Sequence, residues 1–147
     1  MPEKIIKNII VKGHVKDIYS FWKDFENFPH FMRNIKSVRK TGEATSHWVM
    51  QAAFGRRLEW DSQITDVQEN KRIAWKSIAG DLQTSGQVTF NELPHEETDI
   101  TVHMQYAAPA GTLGLAVAKV DNPEKRLDED LRQFKKYAEE SLHLNAG

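Results

Sequence analysis

The chain has 147 residues, 28% of them charged and 39% hydrophobic, with a formal net charge of -1 and no cysteine. That length suits a single domain with a sizeable core, expected to span residues 1–147. The near-neutral charge lacks the basic footprint of a nucleic-acid partner, and the missing thiols exclude disulfides, thiolate metal sites and cysteine nucleophiles.

The opening stretch, MPEKIIKNIIVKG, interrupts every apolar run with polar residues. It reads as neither a signal peptide nor a membrane span, so a cytoplasmic location is the expectation. Lys4 to Val11 is short and β-branched, which predicts a strand. Val15, Ile18, Tyr19, Trp22 and Phe25 then recur at helical spacing. Pro29 is expected to end that helix and open a short turn carrying Phe31 and Met32.

From there the hydrophobic period changes to two. Strands are predicted at Ile35 to Lys40, Ser46 to Phe54, Arg57 to Val67, Arg72 to Ser77, Thr84 to Phe90 and Asp99 to Tyr106. The separators carry turn chemistry, as in Thr41-Gly42-Glu43 and Glu69-Asn70-Lys71, and connectors this short join antiparallel neighbours. A Pro/Gly break follows at Ala108 to Gly114, with Leu113, Val117 and Val120 suggesting a short helical piece. Asn122 and Pro123 form a helix-start signal, and Leu127, Leu131, Phe134 and Ala138 make the apolar stripe of a long helix reaching Glu140. Strand, helix, antiparallel meander and long helix make an α+β protein.

The parity of the strands assigns one apolar face. Trp48 and Met50, then Leu58, Trp60 and Ile64, then Ile73 and Trp75, then Ile100, Val102, Met104 and Tyr106 all point one way. Ser62, Ser77, Thr84 and Gly86 interrupt that face. Wide rings and methionines beside small residues close-pack less readily than Leu, Ile and Val, so two readings stand: a solid core built on Trp, or an unfilled apolar pocket. The inward hydroxyls need backbone, water or ligand partners in either case.

The six histidines form neither an HxH nor an HExxH spacing, and His47 and His103 take the solvent parity of their strands. His95 sits in a Pro94 turn beside glutamates, and Glu59 and Asp61 flank Trp60 but point away from the apolar face. No GxSxG and no phosphate-binding glycine loop occurs. Neither a catalytic residue, nor a metal site, nor a cofactor is assigned.

The ordered run FWKDFENFPHFMRNIKSVRK, HWV, LEWDSQIT, RIAWKSIAG, SGQVTF, QYAAPAGTLG and DEDLRQFKKYAEE resembles the START-like helix-grip superfamily over nearly the whole chain. More narrowly it resembles the polyketide cyclase/dehydrase branch, which also holds the coenzyme-Q-binding proteins. The resemblance implies a curved antiparallel sheet of about seven strands wrapped around a long C-terminal helix. Two small helices would follow the first strand, and a deep hydrophobic cavity would lie between sheet and helix. It further implies that Phe28, Phe31 and Met32, in the aromatic stretch FENFPHFM, form part of the cavity wall, with Phe25 in the core. Trp48, Met50, Trp60, Ser62, Trp75, Ser77, Met104 and Tyr106 would line the sheet side, and Leu113 and Val117 the mouth. The expected partner is a hydrophobic small molecule: a lipid, an isoprenoid quinone or a polyketide-like aromatic. No stable membrane insertion is expected, although transient membrane contact is compatible with such a role. Some members of the branch are aromatase/cyclases, but this chain shows no inward acid or histidine to serve as general base, which favours binding over catalysis.

Overall fold

A computed structural model of the chain describes residues 3–32, 34–51, 55, 57–107 and 123–146. The elements are β1 (Glu3–Lys12), α1 (Val15–Lys23), a 3-10 helix (Phe25–His30), β2 (Ile35–Lys40), β3 (Thr45–Gln51), β4 (Arg57–Gln68), β5 (Arg72–Gly80), β6 (Gln83–Leu93), β7 (Glu97–Ala107) and α2 (Pro123–Ala146). The sheet has seven strands in the order β1-β7-β6-β5-β4-β3-β2, every neighbouring pair antiparallel. This is the expected α+β helix-grip architecture. The predicted helical piece around Leu113, Val117 and Val120 and the cap residue Asn122 lie outside the described residues.

One boundary differs from the sequence reading. The first helix ends at Lys23, not at Pro29, because Asp24 leaves helical geometry and its side chain accepts a hydrogen bond from the Glu26 N–H at 3.2 Å. That cap starts the 3-10 helix, and Pro29 sits inside it. The strands also run longer than their period-two cores, most clearly β5, which continues to Gly80.

The parity reading holds on the inner face: Leu58, Trp60, Ile73, Ile100 and Val102 are buried, while His103 and Lys76 are exposed. Helix α2 lays Leu127, Leu131, Phe134 and Ala138 against that face. Lys135 Nζ donates to the Ile10 carbonyl at 2.7 Å, and Glu139 accepts from the Lys12 N–H at 2.8 Å. Burial opposes ionisation of Glu139, but the Lys12 N–H and the Lys135 ammonium outweigh it and hold the carboxyl below its usual range. These bonds fasten the helix along β1, an edge strand of the sheet.

Candidate functional site

An apolar cavity of about 180 Å³ lies between the inner sheet face, the small helices and the start of α2. Strands β3 and β4 supply Trp48, Met50, Trp60 and Ser62 to its wall. Strands β5, β6 and β7 add Trp75, Thr84, Val102 and Met104. Trp22, Phe25, Phe28 and Met32 come from α1, the 3-10 helix and the turn after it, and Leu127 from α2. The Trp48 and Trp60 rings stack at 5.9 Å with an interplanar angle of 16°, and Phe28 meets Trp48 edge-on at 5.2 Å. Two stacked indoles form a flat, rigid panel that neighbouring side chains fill poorly.

Most of the described residues expected at the cavity line it, with three departures. Phe31 is core: it is 3% exposed, its ring packs on Phe134 at 4.9 Å and on Tyr137 at 5.6 Å, and it is not among the residues that line the cavity. Phe25 shows the reverse, since it lines the cavity rather than only filling the core. The cause is the 3-10 helix, whose tighter turn rotates Phe25 and Phe28 toward Trp48 and leaves Phe31 under α2. Ser77 does not line the cavity; it borders a cleft at the end of the β5–β6 hairpin, where its Oγ accepts from the Thr84 N–H at 3.0 Å. Tyr106 is on β7 opposite Glu3 and Thr84, but its side chain, like Leu113 and Val117, lies outside the described residues.

The inward hydroxyls find backbone partners. Ser62 donates to the Lys76 carbonyl at 3.4 Å and Thr84 to the Gln105 carbonyl at 3.1 Å. Ser46, also buried, accepts from the Trp48 indole N–H at 2.8 Å. The sequence reading missed the ionic end of the cavity, where Asn34, Arg126 and Asp130 contribute to the wall. Arg126 donates to the Met50 sulfur at 3.4 Å. Asp130 was legible in principle, because it stands three residues after Leu127 and one before Leu131, inside the apolar stripe.

On the outer face, His47 donates to Asp61 through Nδ1 at 2.9 Å and to Glu59 through Nε2 at 3.1 Å. Donation from both nitrogens requires the imidazolium, and the bonds to Asp61 and then Glu59 raise the His47 pKa above its ordinary value. The group is half-exposed, and among the described residues no set of three His, Asp or Glu side chains is arranged to hold a metal ion. Among the described residues, no helix is long and apolar enough to cross a membrane.

Residues 11–134 match the family described as polyketide cyclase / dehydrase and lipid transport. An uncharacterized 17.2 kDa protein from the melC2-rnhH intergenic region of Streptomyces lincolnensis is 29% identical over 137 residues, covering 93% of this chain and 90% of its own length. The crystal structure of DR_A0006 from Deinococcus radiodurans superposes with a TM-score of 0.74 at 24% identity, covering 95% of this chain and 98% of that one. The ZhuI aromatase/cyclase from Streptomyces sp. R1128 superposes with a TM-score of 0.76 at 15% identity, over 97% of this chain and 96% of that one. At such identities the superpositions show the fold, which is the START-like helix grip, a fold that binds hydrophobic small molecules in general. The match to the family covers most of the chain and agrees with the order of its elements, and the chain belongs to the polyketide cyclase/dehydrase and lipid transport family.

Proposed function

We propose that this chain, as one domain over residues 1–147, binds a hydrophobic small molecule between the sheet and α2. A lipid, an isoprenoid quinone and a polyketide-like aromatic all suit the wall. The observation that carries the reading is the apolar cavity itself, about 180 Å³ bounded by tryptophans, phenylalanines and methionines. Apolar wall left facing water forgoes the burial that a filled core would gain, and an apolar guest that covers it stabilises the folded chain. A cavity of similar size, about 150 Å³, is known to stay dry and take up benzene.

Native mass spectrometry of protein purified from its own host tests this directly, with a co-purifying apolar mass as the expected result. Absence of any such mass, together with no rise in melting temperature across a panel of apolar probes, would favour an interaction domain with a filled core. A second reading, a cyclase or dehydratase acting on a polyketide-like substrate, is favoured by Arg126 and Asp130 at the wall. There a carboxylate could accept a proton while a guanidinium steadies developing negative charge. Asp130→Asn separates the two readings: an enzyme loses turnover and keeps affinity, whereas a carrier has no turnover to lose.

A further inference from the structure

The polar groups of the cavity are not spread evenly over its wall. On the sheet side the hydroxyls of Ser62 and Thr84 are turned to backbone carbonyls. The charged and amide side chains at the wall, among the described residues, are Asn34, Arg126 and Asp130, and they gather near β3. The Asn34 carbonyl accepts from the Gln51 N–H at 2.8 Å, which ties that residue beside Met50, and Met50 pairs with Ile35. Arg126 and Asp130 stand about one helical turn apart, both on the cavity-lining face of α2. Toward β7 the wall is ring, thioether and the committed Thr84 hydroxyl.

The contact between Arg126 and Met50 carries the argument. Arg126 Nη1 donates to the Met50 sulfur at 3.4 Å, and both residues line the cavity. A guanidinium N–H is a strong donor, whereas a thioether sulfur is a weak acceptor. A guest oxygen brought to the same place replaces that weak partner with a charge-assisted N–H···O bond, about twice as strong as a neutral one. The sulfur thereby marks where the acceptor of a guest belongs. Asp130 then restricts the charge of that guest. A carboxylate one turn from Arg126 offsets much of the pull that a lone guanidinium would exert on an anion, and it repels a second carboxylate held in the same low-dielectric space.

We infer that Arg126 is a specificity-determining residue for a neutral guest that ends in a carbonyl. The carbonyl oxygen takes the place of the Met50 sulfur on Arg126, and the apolar remainder lies along the Trp48–Trp60 panel toward β7. Carboxylates and plain hydrocarbons are then poor guests, and ketones of aliphatic or aromatic skeleton are good ones. This inference rests on the cavity being a guest site, and it adds the guest's polar group, its charge and its orientation.

Ethylbenzene, acetophenone and benzoate have nearly one size and differ in the group at issue. Each is titrated calorimetrically into wild type, Arg126→Met, Met50→Leu and Asp130→Asn. The quantity read is the ethylbenzene Kd divided by the acetophenone Kd, which cancels general effects of a substitution on the cavity. Arg126→Met is expected to lower that ratio about tenfold, the loss of one hydrogen bond to a charged group. Met50→Leu is expected to raise it several-fold, because no sulfur then competes for the guanidinium. Benzoate is expected to bind wild type about tenfold more weakly than acetophenone and to gain affinity in Asp130→Asn. A ratio indifferent to Arg126→Met, ethylbenzene binding without acetophenone, or benzoate binding wild type as tightly as acetophenone overturns the inference and leaves cavity binding intact. If Arg126→Met does not fold, Met50→Leu reads the same ratio from the other partner, and a ratio that falls or stays unchanged there overturns the inference. Failure of all three probes on wild type removes the cavity reading and this one together.

Discussion

Phe31 and Met104 separate core from cavity wall, and truncating each gives opposite signatures. Phe31 is 3% exposed and touches four rings: Trp22, Phe28, Phe134 and Tyr137. Phe31→Ala removes that packing from a filled region and should cost about 3–5 kcal/mol. For a chain of this length each kcal/mol moves the melting temperature by roughly 2–4 °C, so the expected fall is on the order of 10 °C. Met104 is half-buried and already borders the cavity, so Met104→Ala removes one-sided contact and should cost about 1 kcal/mol. Urea unfolding followed by tryptophan fluorescence measures both losses, and displacement of an apolar probe measures affinity. Phe31→Ala should bind the probe with unchanged affinity in the fraction that remains folded, whereas Met104→Ala should bind several-fold more weakly. Equal destabilisation by the two, with affinity untouched by Met104→Ala, would refute the division between core and wall.

Leu131, 1% exposed on the sheet-facing side of α2, should cost about 2–5 kcal/mol as Leu131→Ala, and a loss under about 0.5 kcal/mol would mean the helix does not pack on this face. Gly86 has no room for a Cβ, which would meet the His103 carbonyl oxygen and, at 3.0 Å, the Trp75 ring; Gly86→Ala should therefore cost about 3 kcal/mol or more in urea unfolding. His47 has a folded-state pKa raised by Asp61 and Glu59. Its contribution is fully present below the unfolded value of about 6.5 and is lost as pH rises through the higher folded value. The stability difference between wild type and His47→Gln should accordingly shrink as pH rises from about 6.5 through the higher folded value, with affinity for an apolar probe unchanged because the group is on the outer face. A tenfold loss of affinity in His47→Gln would contradict that placement.

The fold was legible because its signals are periodic. Alternation in LEWDSQIT and ITVHMQY puts Trp60 and Met104 on one face whatever the loops do, and the stripe Leu127, Leu131, Phe134 puts α2 opposite them. What was not legible depends on local geometry that carries no period. Asp24 ends α1 by a single side-chain bond, and the resulting 3-10 turn exchanges the roles expected of Phe25 and Phe31. Ser77 keeps inward parity opposite Ser62 but borders the neighbouring cleft instead of the cavity, next to the register shift at Ile78, which alternation alone does not reveal. Arg126 and Asp130 read as the polar side of an amphipathic helix, since charges on a helix are ordinarily solvated.

The hydroxyls on the inner face bear on what the cavity can do. A serine or threonine facing an apolar guest would offer a hydrogen bond and so select for a polar group at that point. Ser62 and Thr84 instead direct their donors to the Lys76 and Gln105 carbonyls, each part of the sheet itself. Their protons are thereby committed to the backbone, and the sheet side meets a guest through rings, methyls and sulfur. Among the described residues, the ionic groups at the wall are Arg126 and Asp130, at the α2 end. Opposite charges one helical turn apart largely cancel at a distance, so this end favours a dipolar group over a second net charge inside the cavity. A guest chosen mainly by dispersion is bound by shape and length, with chemistry decided at one end. On the proposed reading, a wall of this kind binds related apolar molecules with similar strength, and discrimination among them falls to whatever reaches Arg126 and Asp130.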